Sequence, residues 1–357
     1  MRSLVINPGS TSTKLAVFTD KSPEWEKNIN HEREKINSFS RIIEQLDWRL
    51  ELCIGRLREA GYSQEDFDFV VARGGLLDPI PGGTYLVDED MIADLKAGKN
   101  GEHASNLGAI MAKEISAEAD IPAFIVDPVS VDEFEALARL SGLPELPRKC
   151  QSHALNLKAI GRKTAAALDK DFFALNQIGV HLGGGISIAA LKKGRIVDVN
   201  NANQGGPYSP ERTGTLPALD LTNYIFTEKP EAAEMKKKIV GKGGLTAYLG
   251  TADGRKIEKE IAAGNEKAEL IYQGMIYQIA KEIGSMAAVL AGEVAAIFLT
   301  GGLANSDYVT EKLEEYVNFL APVYIFPGTA EMEHLVGGGL RVLQQEEEAK
   351  VYAEVRG

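Results

Sequence analysis

LVINPGSTSTKLAVF, residues 4–18, decides how the rest of this chain is read. An apolar, β-branched run leads into a Gly/Ser/Thr turn and then a second apolar run, the pattern of a β-hairpin with a polar tip. IGVHLGGGISIAAL, residues 178–191, repeats that plan about 175 residues later, close to half the chain length. The echo predicts two halves built alike, with glycine-rich tips that could face each other across a cleft. Any α/β protein contains hairpins, so the echo by itself also leaves an unduplicated fold open.

Outward from the hairpins, strand-like runs fall at residues 3–7, 14–18, 67–72, 123–127, 177–182, 186–191, 295–300 and 323–326. Helical patterns fill residues 39–60, 106–119, 153–168, 266–290 and 308–320. Alternation of this kind, with hairpins mixed in, predicts an α/β fold with mixed sheets. The boundary between halves is expected within residues 142–151, where SGLPELPRKCQ carries two prolines. The tail, residues 344–356, has Glu and Lys at helical spacing and reads as a solvated surface helix. The longest apolar stretch, residues 283–303, is broken by Glu293 and several glycines. It reads as a helix ending near Gly292 followed by a buried strand, not as a membrane span.

Bulk composition narrows the function classes. A chain of 357 residues, 44% apolar and 25% charged, is ordinary for a globular protein and suits two domains. A net charge of −12 argues against nucleic acid or an anionic membrane as partner. It does not exclude a small anionic ligand, because a few local arginines outweigh a distant field. Cys53 and Cys150 are the only cysteines and form no CxxC. That usage, with no secretory pattern in MRSLVINPGS, predicts a cytoplasmic protein without a structural disulfide.

Three turns could hold phosphate. In the first, Asn7-Pro8-Gly9-Ser10-Thr11-Ser12-Thr13-Lys14, glycine lets backbone N–H groups approach an anion while hydroxyls and a lysine add donors. It lacks the ending of a Walker A loop, and a Ser/Thr-rich hairpin turn explains it equally well. The second, His181 to Ser187, places Gly183, Gly184 and Gly185 between apolar strands, which weakens a sheet unless backbone must come close to something. The third, Thr300-Gly301-Gly302-Leu303-Ala304-Asn305-Ser306, follows the buried run AAIFL, and strand, double glycine, then helix is found in many nucleotide sites or in any tight strand-to-helix turn. Arg73, Asp127, His153, His181 and Arg212 stand at element ends. Together they make a phosphoryl-transfer set, arginines spreading developing charge and a carboxylate ordering Mg²⁺ and its waters.

These residues fall in motifs that resemble the acetokinase family over essentially the whole chain. The motifs are INPGSTSTKLAVF, ARGGLLDPIPGGTY (72–85), GEHASNLGA (101–109), SHALNLKAI (152–160), HLGGGIS (181–187), GPYSPERTG (206–214) and FLTGGLANS (298–306). Within the family the chain looks like the members that act on butyrate. Acetate kinases resemble GTRSGD around the second arginine, where this chain has SPERTG, and they are usually longer. Ser152 also stands where the family often has Phe, which bears on the preferred acid.

The resemblance implies two ribonuclease-H-like domains with mixed sheets flanked by helices, closing around ATP as in sugar kinases, actin and Hsp70-type ATPases. The first domain would comprise residues 1–150 with 331–357, and the second, nucleotide-side domain residues 151–330. It implies transfer from Mg·ATP to butyrate, with isobutyrate, propionate or acetate as alternatives, in a homodimer. By position, Asn7, Ser10, Ser12 and Lys14 would line the phosphate end of the cleft. Arg73 and Arg212 would clamp the acid and the transferring group, with His153 and His181 beside it. Asp127 and Glu331, or Glu333 in place of the latter, would position Mg²⁺. Gly183, Gly184, Gly301 and Gly302 would contact the nucleotide, with Asp253 and Arg255 near its ribose and base.

Overall fold

The computed structural model describes residues 1–356. They form two compact units, 1–132 with 330–356, and 133–329, so that residues 133–150 go with the second. In the first unit β1 (Arg2–Pro8), β2 (Ser12–Thr19) and β3 (Ser22–Asn30) make an antiparallel meander. The β1–β2 pairing runs to Pro8 opposite Thr13, leaving Gly9, Ser10 and Thr11 to form the tip. β4 (Phe69–Ala72) adds parallel to β1, β5 (Thr84–Leu86) follows, and β6 (Ala123–Val126) adds parallel to β4. FVVA and AFIV are buried at every position, as expected of central parallel strands covered on both faces.

The second unit repeats the arrangement. β7 (Asn176–Leu182), β8 (Ile186–Lys192) and β9 (Arg195–Val199) form the meander. β10 (Ala296–Gly301) pairs parallel with β7, and β11 (Val323–Pro327) parallel with β10. The order β11-β10-β7-β8-β9 matches β6-β4-β1-β2-β3 strand for strand, so the echo of two hairpins is the trace of a duplicated sheet. Both are mixed sheets flanked by helices. Each unit has its own core: Leu4, Ile6, Val70, Ile110 and Ile125 in one, Ile178, Val180, Ile188, Ile279 and Ile297 in the other.

Every strand read from the sequence is present, within a residue or two at its ends. β3 escaped because SPEWEKNIN is a mostly exposed edge strand, and β5 because three residues carry no period. The apolar stretch divides as expected: helix Glu266–Val289 ends ahead of Gly292 and β10 begins at Ala296. Among the described residues no helix is long and apolar enough to cross a membrane.

The tail differs from its sequence reading. Helix Glu331–Leu343 lies on the first sheet, where Gly338 meets Val126 and Gly339 meets Phe69 so closely that a Cβ on either would collide. After it, β12 (Lys350–Val351) pairs parallel with β5. Tyr352 is fully buried; its hydroxyl donates to Asp94 at 2.8 Å and accepts from the Asp78 N–H at 3.2 Å. A Glu/Lys spacing suggested a solvated helix because one aromatic anchor in a charged segment leaves no periodic signal. Tyr352→Ala should therefore destabilise the protein by about 3 kcal/mol, the usual cost of emptying a buried aromatic site. A urea midpoint equal to that of the parent would restore the surface-helix reading.

Candidate active site

In the first unit the C-terminal ends of parallel strands deliver the charged groups, the usual location of ligands in open α/β sheets. Arg73 follows β4, and Asn7 stands near the end of β1. Both meet Glu331, the first residue of the returning helix. Arg73 Nη1 donates to Glu331 Oε1 and Oε2 at 3.2 and 3.1 Å, and Asn7 Nδ2 donates to Oε2 at 3.0 Å. The arginine is 40% and the glutamate 32% exposed, so the ion pair is open to a ligand and of modest strength. Ser10 on the tip and Lys14 in β2 are exposed, and Ser12 is half-buried.

Asp127 follows β6 with φ of +38°, in the left-handed region that a short polar side chain tolerates. It is buried, and its Oδ1 accepts the Gly83 N–H at 2.7 Å, pinning the start of β5. His103 belongs with this cluster although GEHASNLGA drew no role for it from the sequence. Its Nδ1 lies 2.8 Å from Ser105 Oγ, and burial, reinforced by the charge of Arg73, holds its imidazole below the ordinary histidine range. The signal was the one ring in a motif otherwise made of small, polar and aliphatic residues.

In the second unit the His181–Ser187 tip is built with care. His181 and His153 stack with ring centroids 3.8 Å apart and planes 12° from parallel. His181 Nδ1 lies 2.8 Å from Asn156 Oδ1, and His153 Nδ1 lies 3.1 Å from Ser187 Oγ, which fixes both rings. Asn156 and Ser187 were not singled out from sequence, since neither type is distinctive without its neighbour. The Arg212 guanidinium lies directly against the backbone of Gly185, in space any larger residue would fill. Burial pushes that guanidinium below its ordinary value, partly offset by Glu211, and it stays charged at neutral pH. The loop before it is held by Ser209, whose hydroxyl donates to the Gly184 carbonyl at 2.6 Å.

Next to this cluster lies a cleft of about 730 Å³, the size of a nucleotide or drug-sized ligand site. Gly183, Gly184, Glu211, Asp253, Arg255 and Gly302 are among its walls. Gly301, at φ +93°, is buried, and its N–H and C=O both bond Gly328, so it shapes the turn while Gly302 meets the cleft. Asp253 accepts the Arg255 N–H at the start of helix Gly254–Ala262 and pairs with the Arg255 side chain at 3.1 Å. Ser306 caps helix Asp307–Val317 and donates to Glu258 Oε1 at 2.6 Å. Two helix N-termini thus border the cleft, a favourable setting for an anion. Asn305 and Ser306, at the end of the third turn, also line it, as does Glu258, which was not named from sequence.

Comparisons with known proteins follow the same lines. Residues 145–327 match the acetokinase family. A probable butyrate kinase 2 of Caldanaerobacter subterraneus subsp. tengcongensis is 51% identical over 349 residues, 98% of this chain and 99% of the relative. Among solved structures, the acetate kinase of Porphyromonas gingivalis superposes with a TM-score of 0.78 at 20% identity, covering 96% of this chain and 99% of that one. A propionate kinase from Francisella tularensis subsp. tularensis reaches 0.71 at 17% identity, covering 94% and 98%. At such identities the structural likeness speaks for the fold alone.

The His103 arrangement is open to titration. Because burial and Arg73 both disfavour the imidazolium, its NMR midpoint should lie below the unperturbed value of about 6.5. Replacing Arg73 by Met should move it upward, while Arg212→Met should leave it in place. An unchanged midpoint in Arg73→Met would separate the two residues.

Proposed function

Because the chain belongs to the acetokinase family, we propose that it moves the γ-phosphoryl group of ATP onto a short-chain carboxylate, butyrate foremost, and runs in both directions. One observation carries this reading. Gly184 and Glu211 form a wall of the nucleotide-sized cleft, and their chain neighbours Gly185 and Arg212 are in contact with each other. The cleft therefore leads to a half-buried cation and a stacked histidine pair, where a phosphate chain would end.

Charge dictates the chemistry. A carboxylic acid of pKa about 4.3 is ionised at pH 7, so this nucleophile needs no general base. A sugar kinase differs, since its hydroxyl acceptor gains roughly 10²–10⁴-fold from one. The protein's task is instead to overcome repulsion between two anions and keep water from the acyl phosphate. Arg73 would hold the acid, while Arg212 and His153 meet the equatorial oxygens of the transferring group and His181 fixes the His153 ring. Asn7, Ser10, Ser12 and Lys14 would bind phosphate oxygens. Gly183, Gly184, Gly302, Asp253 and Arg255 would seat the nucleotide, with Gly301 supporting the turn.

Among the described residues no group of three or more His, Cys, Asp or Glu side chains is disposed to hold a metal ion. The two carboxylates of Asp127 and Glu331 are a set that suits Mg²⁺, which keeps several waters and enters on substrate phosphates. Asp127 and Glu331 would hold it chiefly through those waters, and its charge would offset that of the phosphate chain. Ser152, buried with its hydroxyl unpartnered beside His153, leaves more room than Phe would and supports an acyl group longer than acetate. The protein would work in the cytoplasm.

Incubation with Mg·ATP, hydroxylamine and a series of C2 to C5 acids should yield hydroxamate, most with butyrate. ATP hydrolysis that ignores the acid would point to a nucleotide-driven switch. Arg212→Ala should lower turnover roughly 10³-fold with nucleotide affinity nearly intact. Parallel loss of ATP affinity would remove it from the transferring group.

A homodimer completes the proposal. Helix Ala218–Glu228 buries none of its residues, and Leu219 and Phe226 are 81% and 74% exposed. An amphipathic helix left uncovered favours a second copy as its cover. Light scattering should give twice the chain mass, falling to one chain with Leu219→Glu and Phe226→Glu combined; a parent already monomeric at micromolar concentration would dismiss the dimer.

A further inference from the structure

Beneath the first tip lies a guanidinium that the reaction scheme above does not use. Arg49, in helix Leu46–Glu59, is 0% exposed. Its Nε and Nη2 donate to Gln45 Oε1 at 3.0 and 2.9 Å. Nη1 donates to the Gly9 carbonyl at 2.9 Å and to Thr13 Oγ1 at 3.2 Å, with the Ser12 carbonyl at 3.5 Å. Nη2 lies 3.5 Å from the Ser10 carbonyl. Every acceptor is neutral, and among the described residues no carboxylate pairs with it.

The surroundings supply no hidden counter-charge. Burial pushes the neighbouring Cys53 thiol up to about 12, so it carries no charge at neutral pH. Thr13 Oγ1, which accepts from Arg49, also lies 2.9 Å from His31 Nε2. Burial, and secondarily the charge of Arg49, push His31 down to about 4, so that ring is neutral as well. A buried cation without an anion is unfavourable unless something else completes it.

The peptide geometry indicates what does. In a trans peptide the C=O of one residue and the N–H of the next point in opposite directions. The Gly9 and Ser10 carbonyls turn inward to Arg49, so the N–H groups of Ser10 and Thr11 turn outward, and neither donates to another backbone group of the described residues. Successive outward N–H groups over a buried positive charge make a cradle for an anion.

We propose that Arg49 is a positioning residue for the terminal phosphates of ATP: it turns the first tip so that its N–H groups face the phosphate chain, whose charge completes its own. This rests on the reading that the Asn7–Lys14 tip takes phosphate, and it adds a residue 35 positions beyond that motif. Calorimetry on the full chain should show Arg49→Met binding Mg·ATP at least about 10-fold more weakly than the parent, with AMP within about twofold. Arg49→Lys, which keeps the charge without the fork, should recover part of the loss. Equal weakening of ATP and AMP, or a lysine variant no better than methionine, would reduce Arg49 to a prop for the fold. Should Arg49→Met not fold, Arg49→Gln carries the same comparison. Acid-independent ATP turnover by the parent would sink the carboxylate-kinase reading, whereas this proposal stands or falls by the ATP-to-AMP ratio.

Discussion

The carboxylate of Glu331 is the contact on which the first unit's site depends. It bonds Arg73, 258 residues away, and Asn7, 324 residues away, so neither half of that cluster is complete until the returning helix has docked. Docking is possible because Gly338 and Gly339 let the helix backbone approach Val126 and Phe69. Tyr352 then anchors the segment that follows, accepting and donating hydrogen bonds inside the core it closes. A packing event at the end of the chain sets the position of groups read from its beginning.

A second constraint runs through both units: a chain of net charge −12 must bind anions. The solution is local. Arg212 is laid against Gly185, where a glycine backbone takes little space, and Arg49 is sealed under the first tip against carbonyl oxygens. Desolvation raises the electrostatic value of such cations, because little water screens their attraction for a nearby anion. Distant surface carboxylates, separated by more than a Debye length at physiological salt, hardly register.

The sequence exposed much of this because glycine and β-branched residues speak for themselves. The two hairpins, the parallel strands FVVA and AFIV and the glycine turns at Gly183–Gly185 and Gly301–Gly302 were legible from local pattern. The stacked pair His153 and His181 was named, but not its supports Asn156 and Ser187, since a polar residue's partner lies in another element. His103 and Glu258 escaped for the same reason, and Arg49 more thoroughly: on a helix reading it is one charged residue among several.

Thus the alternation of apolar runs and turns, a property of neighbours along the chain, determined the duplicated mixed sheets and the tips that carry polar groups. Tertiary structure alone decided which distant side chains complete those tips: Glu331 beside Arg73, Arg212 over Gly185, Arg49 under Gly9. The physical reason is range. Backbone preference and hydrophobic period act over a few residues, whereas a hydrogen bond or a buried charge is satisfied by whatever atom the fold brings within about 3 Å, at any separation in sequence.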